Sequence, residues 1–228
     1  MEEQESGKWG DMLRLTFSKG DNGLCRILCL GAHSDDIEIG CGGSVLRLLN
    51  ESENVEALWV VLSADEQRAI EARSSAERFL SKASKKEVRV EGFRDGFLLY
   101  EGSHIKEYFE SLKNEFSPDL IFTHCREDFH QDHRLVSELT WNTFRNHFIL
   151  EYEVIKYDGD LGRPNVYITL SKDNCARKID IILQSFRSQA RKNWFTEDAF
   201  RAILRLRGIE INAEEKHAEA FYGRKVCL

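Results

Sequence analysis

Residues 26–43 read Arg26-Ile-Leu-Cys-Leu30-Gly31-Ala32-His33-Ser34-Asp35-Asp36-Ile37-Glu38-Ile39-Gly40-Cys41-Gly42-Gly43. This stretch sets the reading of the fold. The apolar run 26–30 has strand length and β-branched character, and Gly31 ends it, which predicts a buried strand. Beyond the polar loop, Val45 to Leu49 joined to Ile39 has helical length. Working outward, Val55 to Ser63 reads as a second strand. Asp65 to Ser84 lacks Gly and Pro and reads as a helix. Glu87 to Phe93 is a third strand. Ile105, Tyr108, Phe109, Leu112 and Phe116 fall at helix spacing, and Ser117-Pro118 stops that helix. Asp119 to His124 is a fourth strand, and 130–147 is a loop entering a helix. Four strand–helix alternations predict an α/β fold: a doubly wound, mainly parallel sheet with helices on both faces.

After residue 150 the signal is weaker. Tyr152 to Tyr157 and Val166 to Leu170 read as strands around a polar loop. Ala176 to Gln189 reads as a helix, and Thr196 caps a last helix that runs to Arg207 and ends at Gly208. A final strand covers Ala218 to Leu228. At the other end, Met1 to Asn22 has weak periodicity and Gly20 to Gly23 reads as a turn. No repeat or composition shift forces a second domain, so 1–228 reads as one α/β domain. Its motif-bearing part is 25–145, and the rest completes sheet and pocket.

With 32 Lys+Arg against 39 Asp+Glu the net charge is -7, which argues against a general nucleic-acid binder. No apolar run approaches the ~20 residues needed to span a bilayer, and Val55 to Leu62 is broken by Glu56. The N-terminus has no secretory pattern, so a cytoplasmic protein with reduced thiols is expected. The 6 cysteines could form a disulfide framework or a metal cluster. They contain no C-x-x-C pair, which disfavours a zinc knuckle.

Two polar constellations follow predicted strands. The first crowds His33, Asp35, Asp36 and Glu38 into one loop. Adjacent acids repel unless a cation or solvent offsets them, and imidazole with carboxylate suits a divalent metal. Neighbouring aspartates must also point differently, so one can ligate while the other handles a proton. A solvated turn with an Asp helix cap is the alternative. The glycines at 40, 42 and 43 do not form a G-x-G-x-x-G fingerprint. The second constellation is His124-Cys125-Arg126-Glu127-Asp128-Phe129-His130-Gln131-Asp132-His133, holding three of the seven histidines. His130 and His133, at i and i+3, can share a face of a starting helix. His104, His147 and His217 stand alone and read as structural or solvent-facing.

Together, Ala32-His33-Ser34-Asp35-Asp36 and His130-Gln131-Asp132-His133 resemble the paired A-H-P-D-D and H-x-D-H signatures of the PIG-L/LmbE-like family of zinc-dependent de-N-acetylases. The resemblance covers roughly residues 25 to 145, with a weaker echo at Ala218 to Phe221. It implies a Rossmann-like sheet and Zn²⁺ bound by His33, Asp36 and His133. It further implies Asp35 as general base, His130 as oxyanion stabiliser or acid to the leaving amine, and Asp132 as the group that holds His130. Ser34 stands where the family usually has Pro, which puts loop rigidity in doubt more than ligand spacing. Arg73 and Glu77 lie near a family Arg/Glu helix, one residue off its spacing, and carry no assigned role. The implied reaction is hydrolysis of an N-acetyl group on a soluble sugar, sugar nucleotide or sugar conjugate.

Candidates for holding substrate are Arg126, Glu127 and Asp128 beside the histidines, and Tyr157, Asp158, Asp160, Arg163, Asn165, Trp194 and Phe195 in the C-terminal part. No basic amphipathic helix points to a membrane lipid, and a homo-oligomer is left open. Three other readings stand. The same site could cleave another amide or thiol-conjugate bond. The chain could be an inactive sugar-binding relative, although every proposed position holds a competent residue. His33-Ser34-Asp35 with a distant His is also formally the triad of a non-haem Fe(II) oxygenase, but those enzymes are all-β. With the metal built from His and Asp, the six thiols read as free, and Cys41 and Cys125 as the two closest to the pocket.

Overall fold

The computed structural model describes residues 25–226, so the expected turn at 20–23, Cys227 and the last residue of the final predicted strand lie outside the described residues. Seven strands form the sheet: β1 (Cys25–His33), β2 (Val55–Ser63), β3 (Lys85–Val90), β4 (Leu120–His124), β5 (Phe148–Tyr152), β6 (Val166–Thr169) and β7 (Ala218–Gly223). Their order is β3-β2-β1-β4-β5-β7-β6. β1 to β5 are mutually parallel, while β7 runs antiparallel to both β5 and β6. The helices are α1 (Asp36–Glu51), α2 (Glu66–Phe79), α3 (Gly102–Glu115), α4 (Gln131–Thr143), α5 (Lys172–Ser185) and α6 (Glu197–Glu210). This is the doubly wound, mainly parallel α/β architecture that the alternation predicts.

The period-2 geometry of β1 explains why its run is apolar throughout. Ile27 and Cys29 face a core shared with α1, α2, α5 and α6, while Leu28 and Leu30 face α3 and α4. All four are 0% exposed, and burying each large aliphatic side chain is worth roughly 1.5–3 kcal/mol. The chain steps from β1 to β2 on one side, and β4 lies on the other. The carboxyl ends of β1 and β4 therefore flank a topological switch point, where open α/β sheets bind ligands. Both polar constellations leave the sheet there.

Several boundaries differ from the sequence reading, for physical reasons. β1 does not stop at Gly31: Gly31 pairs with Val61 and His33 with Ser63. His33 is thus a strand residue, and Asp36 opens α1 with Asp35 as its N-cap residue. The glycines at 40, 42 and 43, which follow the acidic loop, lie inside α1. Each costs about 1 kcal/mol in a helix relative to Ala, and packing supplies the reason. A Cβ on Gly40 would lie 2.1 Å from Cδ2 of Tyr152, whose hydroxyl donates to the Leu30 carbonyl at 2.6 Å. Gly40→Ala is expected to cost about 1–3 kcal/mol by overpacking, lowering Tm by several degrees. An unchanged melting curve would show that Tyr152 can move.

β5 lies at Phe148–Tyr152 and not at 152–157, because α4 already ends at Thr143 and Phe148 pairs with Leu120. α5 starts earlier than expected, at a Ser171 cap bonded to the Asn174 N–H. α6 passes through Gly208 to Glu210 after its Thr196 cap.

The middle of α1 is clamped from the far end of the chain. Glu219 on β7 accepts from the N–H groups of Gly43 and Ser44 at 2.8 and 2.6 Å. Lys178 on α5 pairs with Glu219 and donates to the Ile39 carbonyl at 2.6 Å. Lys178 and Glu219 are each 2% exposed, so the charges are buried but paired and hydrogen-bonded. No helix among the described residues is long and apolar enough to cross a membrane.

Candidate active site

Local structure brings the two constellations together. His33 ends β1, Asp36 begins α1, His130 caps α4 and His133 lies in the first turn of α4. The His33 N–H donates to Asp36 Oδ2 at 2.6 Å, which fixes the carboxylate against the strand end. His33 Nδ1 lies 3.2 Å from His133 Nε2 and 3.3 Å from Asp36 Oδ2. His133 Nε2 lies 3.4 Å from the same oxygen. Metal bonds of about 2.0–2.1 Å in tetrahedral geometry put ligand atoms about 3.3–3.4 Å apart. The three atoms fit one face of such a site and leave a fourth direction open.

Neighbouring carboxylates set the ring tautomers that metal binding needs. His33 Nε2 faces Asp95 Oδ1 at 3.1 Å and Asp132 Oδ2 at 3.3 Å, so in the neutral ring the proton belongs on that nitrogen and Nδ1 keeps the lone pair. His133 Nδ1 faces Asp128 Oδ2 at 2.9 Å, which frees Nε2. Those carboxylates are themselves anchored. Asp132 accepts from the Gly96 and Leu98 N–H groups at 2.8 and 3.2 Å. Asp128 accepts from the His130 N–H at 2.7 Å and from Lys156 at 3.1 Å.

The electrostatics also favour a cation. Burial opposes charging His33, yet Asp36, Asp132 and Asp95 outweigh it and hold the ring well above the usual imidazole range. Burial likewise disfavours ionised Asp36, but His133, His124 and His33 keep it well below the usual carboxylate range. His124, stacked on His133 at 3.9 Å, is pushed down to about 4 by burial and by His133.

Asp35 points elsewhere, as two adjacent aspartates must. Its Oδ1 accepts from Arg68 Nη2 at 2.6 Å. Burial raises its pKa despite the guanidinium, the direction that suits a proton acceptor working near neutrality. The His130 ring centroid is 4.8 Å from His33 and 4.6 Å from His133. Its Nδ1 accepts the Asp132 N–H at 3.3 Å, so the ring proton sits on Nε2. Burial and the two other imidazoles lower its pKa, which makes it a neutral donor.

The PIG-L family profile, described as GlcNAc-PI de-N-acetylase, matches residues 28–144. The chain belongs to the PIG-L family. No curated protein sequence matches it. Among solved structures, it is similar to N,N'-diacetylchitobiose deacetylase from Pyrococcus horikoshii, with 23% identity, TM-score 0.66, and 86% of this chain and 82% of that one covered. The conserved protein TT1542 from Thermus thermophilus shows 20% identity, TM-score 0.69 and coverage of 89% and 96%. GalB, the 4-carboxy-2-hydroxymuconate hydratase from Pseudomonas putida, shows 14% identity, TM-score 0.69 and coverage of 90% and 98%. At these identities the likenesses establish the fold.

Within this PIG-L family site, several residues fall away from their expected places. The Asp132 carboxylate lies on His33, and only its main-chain N–H reaches His130. Asp128 sits behind His133 at 4% exposure, not on an open pocket wall. The Arg126 guanidinium lies over the Trp141 ring at 5.6 Å, and Glu127 pairs with Arg224. Asp160 accepts from Lys156 and from the Phe129 N–H. Asp158 is 3.9 Å from Lys156, and Arg163 is exposed without a contact to the histidines among the described residues. Asn165 bonds across to Gly223, and Phe195 is in the core. Tyr157 and Trp194 do meet, edge to face at 6.5 Å.

Two site residues escaped sequence reasoning. Asp95 reaches His33 because Asp132 docks its loop. Arg68 reaches Asp35 from α2. Arg73 instead bonds the carbonyls of Val88 and Val90, and Glu77 pairs with Lys86. No local signal marked Arg68, whose side chain bonds Asp35 across the fold. Cys29, Cys41, Cys125 and Cys175 are free thiols. Burial raises the thiol pKa of Cys41 and of Cys125, so both are protonated.

Proposed function

We propose that this PIG-L family chain is a zinc-dependent hydrolase that removes the N-acetyl group from an N-acetylated sugar or sugar conjugate, giving a free amine and acetate. The observation that carries the reading is the His33–Asp36–His133 triangle with Asp35 beside it, turned away and held by Arg68. Two imidazoles and one carboxylate are a zinc donor set with an open position, and His33, Asp36 and His133 would hold the ion. Bound there, zinc would lower the pKa of water toward about 7 and polarise the amide carbonyl.

The chain's own groups supply the rest. Asp35 takes the proton of the attacking water and passes it to the amide nitrogen as the C–N bond breaks, so the amine leaves neutral, and Arg68 orients the carboxylate through Oδ1. His130, carrying its proton on Nε2, donates to the oxygen that becomes negative as the carbonyl carbon turns tetrahedral. Asp132 and Asp128 hold the two ligating rings in the required tautomers.

The test is acetate release from a panel of N-acetyl sugars and UDP-sugars, with and without a chelator. Turnover should disappear with chelator and return with stoichiometric zinc. The same fold supports a hydratase in GalB. Water addition to an unsaturated acid with no acetate from any amide would therefore replace the deacetylase reading. Iron-dependent O₂ uptake would replace it with an oxygenase.

A further inference from the structure

β1 and β4 part company where the site begins. Their backbone pairing joins Ile27 to Leu120, Leu28 to Ile121 and Cys29 to Phe122, and goes no further among the described residues. β1 stays paired with β2 as far as His33 and Ser63, and β4 with β5 as far as His124 and Tyr152. Continued along the strands, the β1–β4 register would set the His124 main chain opposite Gly31, bonded to the Leu30 carbonyl and the Ala32 N–H. Two side chains take its place. The Tyr152 hydroxyl donates to the Leu30 carbonyl at 2.6 Å, and His124 Nε2 accepts the Ala32 N–H at 3.0 Å. The two residues are ladder partners, both are 0% exposed, and their ring centroids lie 4.8 Å apart. Side chains therefore span the gap at the switch point.

The His124 ring also touches both halves of the metal-facing triangle. Its Nε2 lies 3.1 Å from Asp36 Oδ2, and its face is stacked on His133 with the centroids 3.9 Å apart. His124 is thus as close to Asp36 as the two ligating rings are. Its lone pair is engaged elsewhere, however. Because Nε2 accepts from Ala32, the proton of the neutral ring sits on Nδ1, which is buried without a hydrogen-bond partner among the described residues. An orphaned buried N–H is costly, and a phenylalanine would fill the same flat space without one. The cost is matched to the one group a phenylalanine lacks, the acceptor for Ala32.

We propose that His124 is a positioning residue for the metal site: by taking the Ala32 N–H across the gap, it fixes how far the end of β1, with His33 and Asp36, stands from α4, with His133. It is not a fourth ligand, because the lone pair that a metal would need is already bonded. The proposal rests on the metal-dependent reading and adds to it a residue that acts through the backbone.

The bond can be read directly in wild type, without metal or turnover. An N–H···N bond carries a scalar coupling between its two nitrogens. Isotope-labelled protein should show that coupling between the Ala32 amide and His124 Nε2, with the ring proton on Nδ1, before and after zinc is added. Two substitutions separate the parts of the ring. His124→Gln keeps an acceptor near the position of Nε2 and loses the stacked face, whereas His124→Phe keeps the face and loses the acceptor. Zn²⁺ is titrated into each metal-free protein against a competing chelator, below its melting temperature. Affinity should stay within about threefold of wild type in His124→Gln and fall about tenfold or more in His124→Phe, since altering an outer partner of a metal ligand costs about 10–100-fold. Absence of the coupling in wild type, or wild-type zinc affinity in a folded His124→Phe protein, would overturn the proposal. So would a loss of zinc in His124→Gln as severe as in His133→Ala, which would make His124 a ligand. Should His124→Phe fail to fold, the wild-type coupling and the His124→Gln affinity still decide. A wild type that shows the coupling but binds no zinc would instead be the failure of the metal-dependent reading.

Discussion

Asp35→Asn is expected to lower deacetylation by about 10²–10⁴-fold, the range for losing a general base, while zinc stays bound in stoichiometric amount. The amide keeps the shape of the side chain and can still accept from Arg68, but it cannot take a proton from water. The metal-facing geometry does not depend on it, because the His33 N–H is held by Asp36 and not by Asp35. Elemental analysis and acetate release on the same preparation separate the two effects. A fully active Asp35→Asn protein would remove the residue from the role of base. Zinc loss in that variant would mean that Asp35 supports the ligand set.

His133→Ala is expected to lose both metal and activity. The change deletes one vertex of the triangle and strands the two remaining donors, His33 Nδ1 and Asp36 Oδ2, 3.3 Å apart. Altering an outer partner of a metal ligand typically costs 10–100-fold in affinity, so removing a ligand should cost more than about 100-fold. The fold should survive, because Asp128 behind the ring keeps Lys156 and the His130 N–H as partners. Metal content, acetate release and a melting curve together test this. Tight stoichiometric zinc in a folded His133→Ala protein would refute its ligand role.

Much of this site can be read from the residues because the relevant physics is local. A strand that ends in a loop of acids, twice, in an alternating chain predicts a switch-point site. Two neighbouring aspartates must diverge, and Asp35 and Asp36 do. What escaped the sequence depends on distant partners. Gly40, Gly42 and Gly43 look like a turn until Tyr152, Phe79, Leu170 and Glu219 are placed against them. Nothing local says that Asp132 will serve His33, since the decision belongs to the loop at Gly96 that it docks. Arg68 looks like any surface arginine on a charged helix, and only the packing of α2 beside α1 directs it to Asp35. The register of β5 was missed because Phe148-Ile-Leu-Glu-Tyr152 and the following Val154-Ile155 are similarly apolar. Pairing with β4 decides between them.

The clamp on α1 bears on when the protein becomes competent during its synthesis. Asp36 and the backbone of Gly43 emerge early from the ribosome, but the carboxylate that secures Gly43 belongs to a residue 176 positions later. β7, which carries it, closes at Gly223 of a 228-residue chain. Domains fold as units during translation, and here α1 is made well before the strand that secures it. A growing chain therefore carries all three proposed ligands well before Glu219 can secure the helix that Asp36 opens.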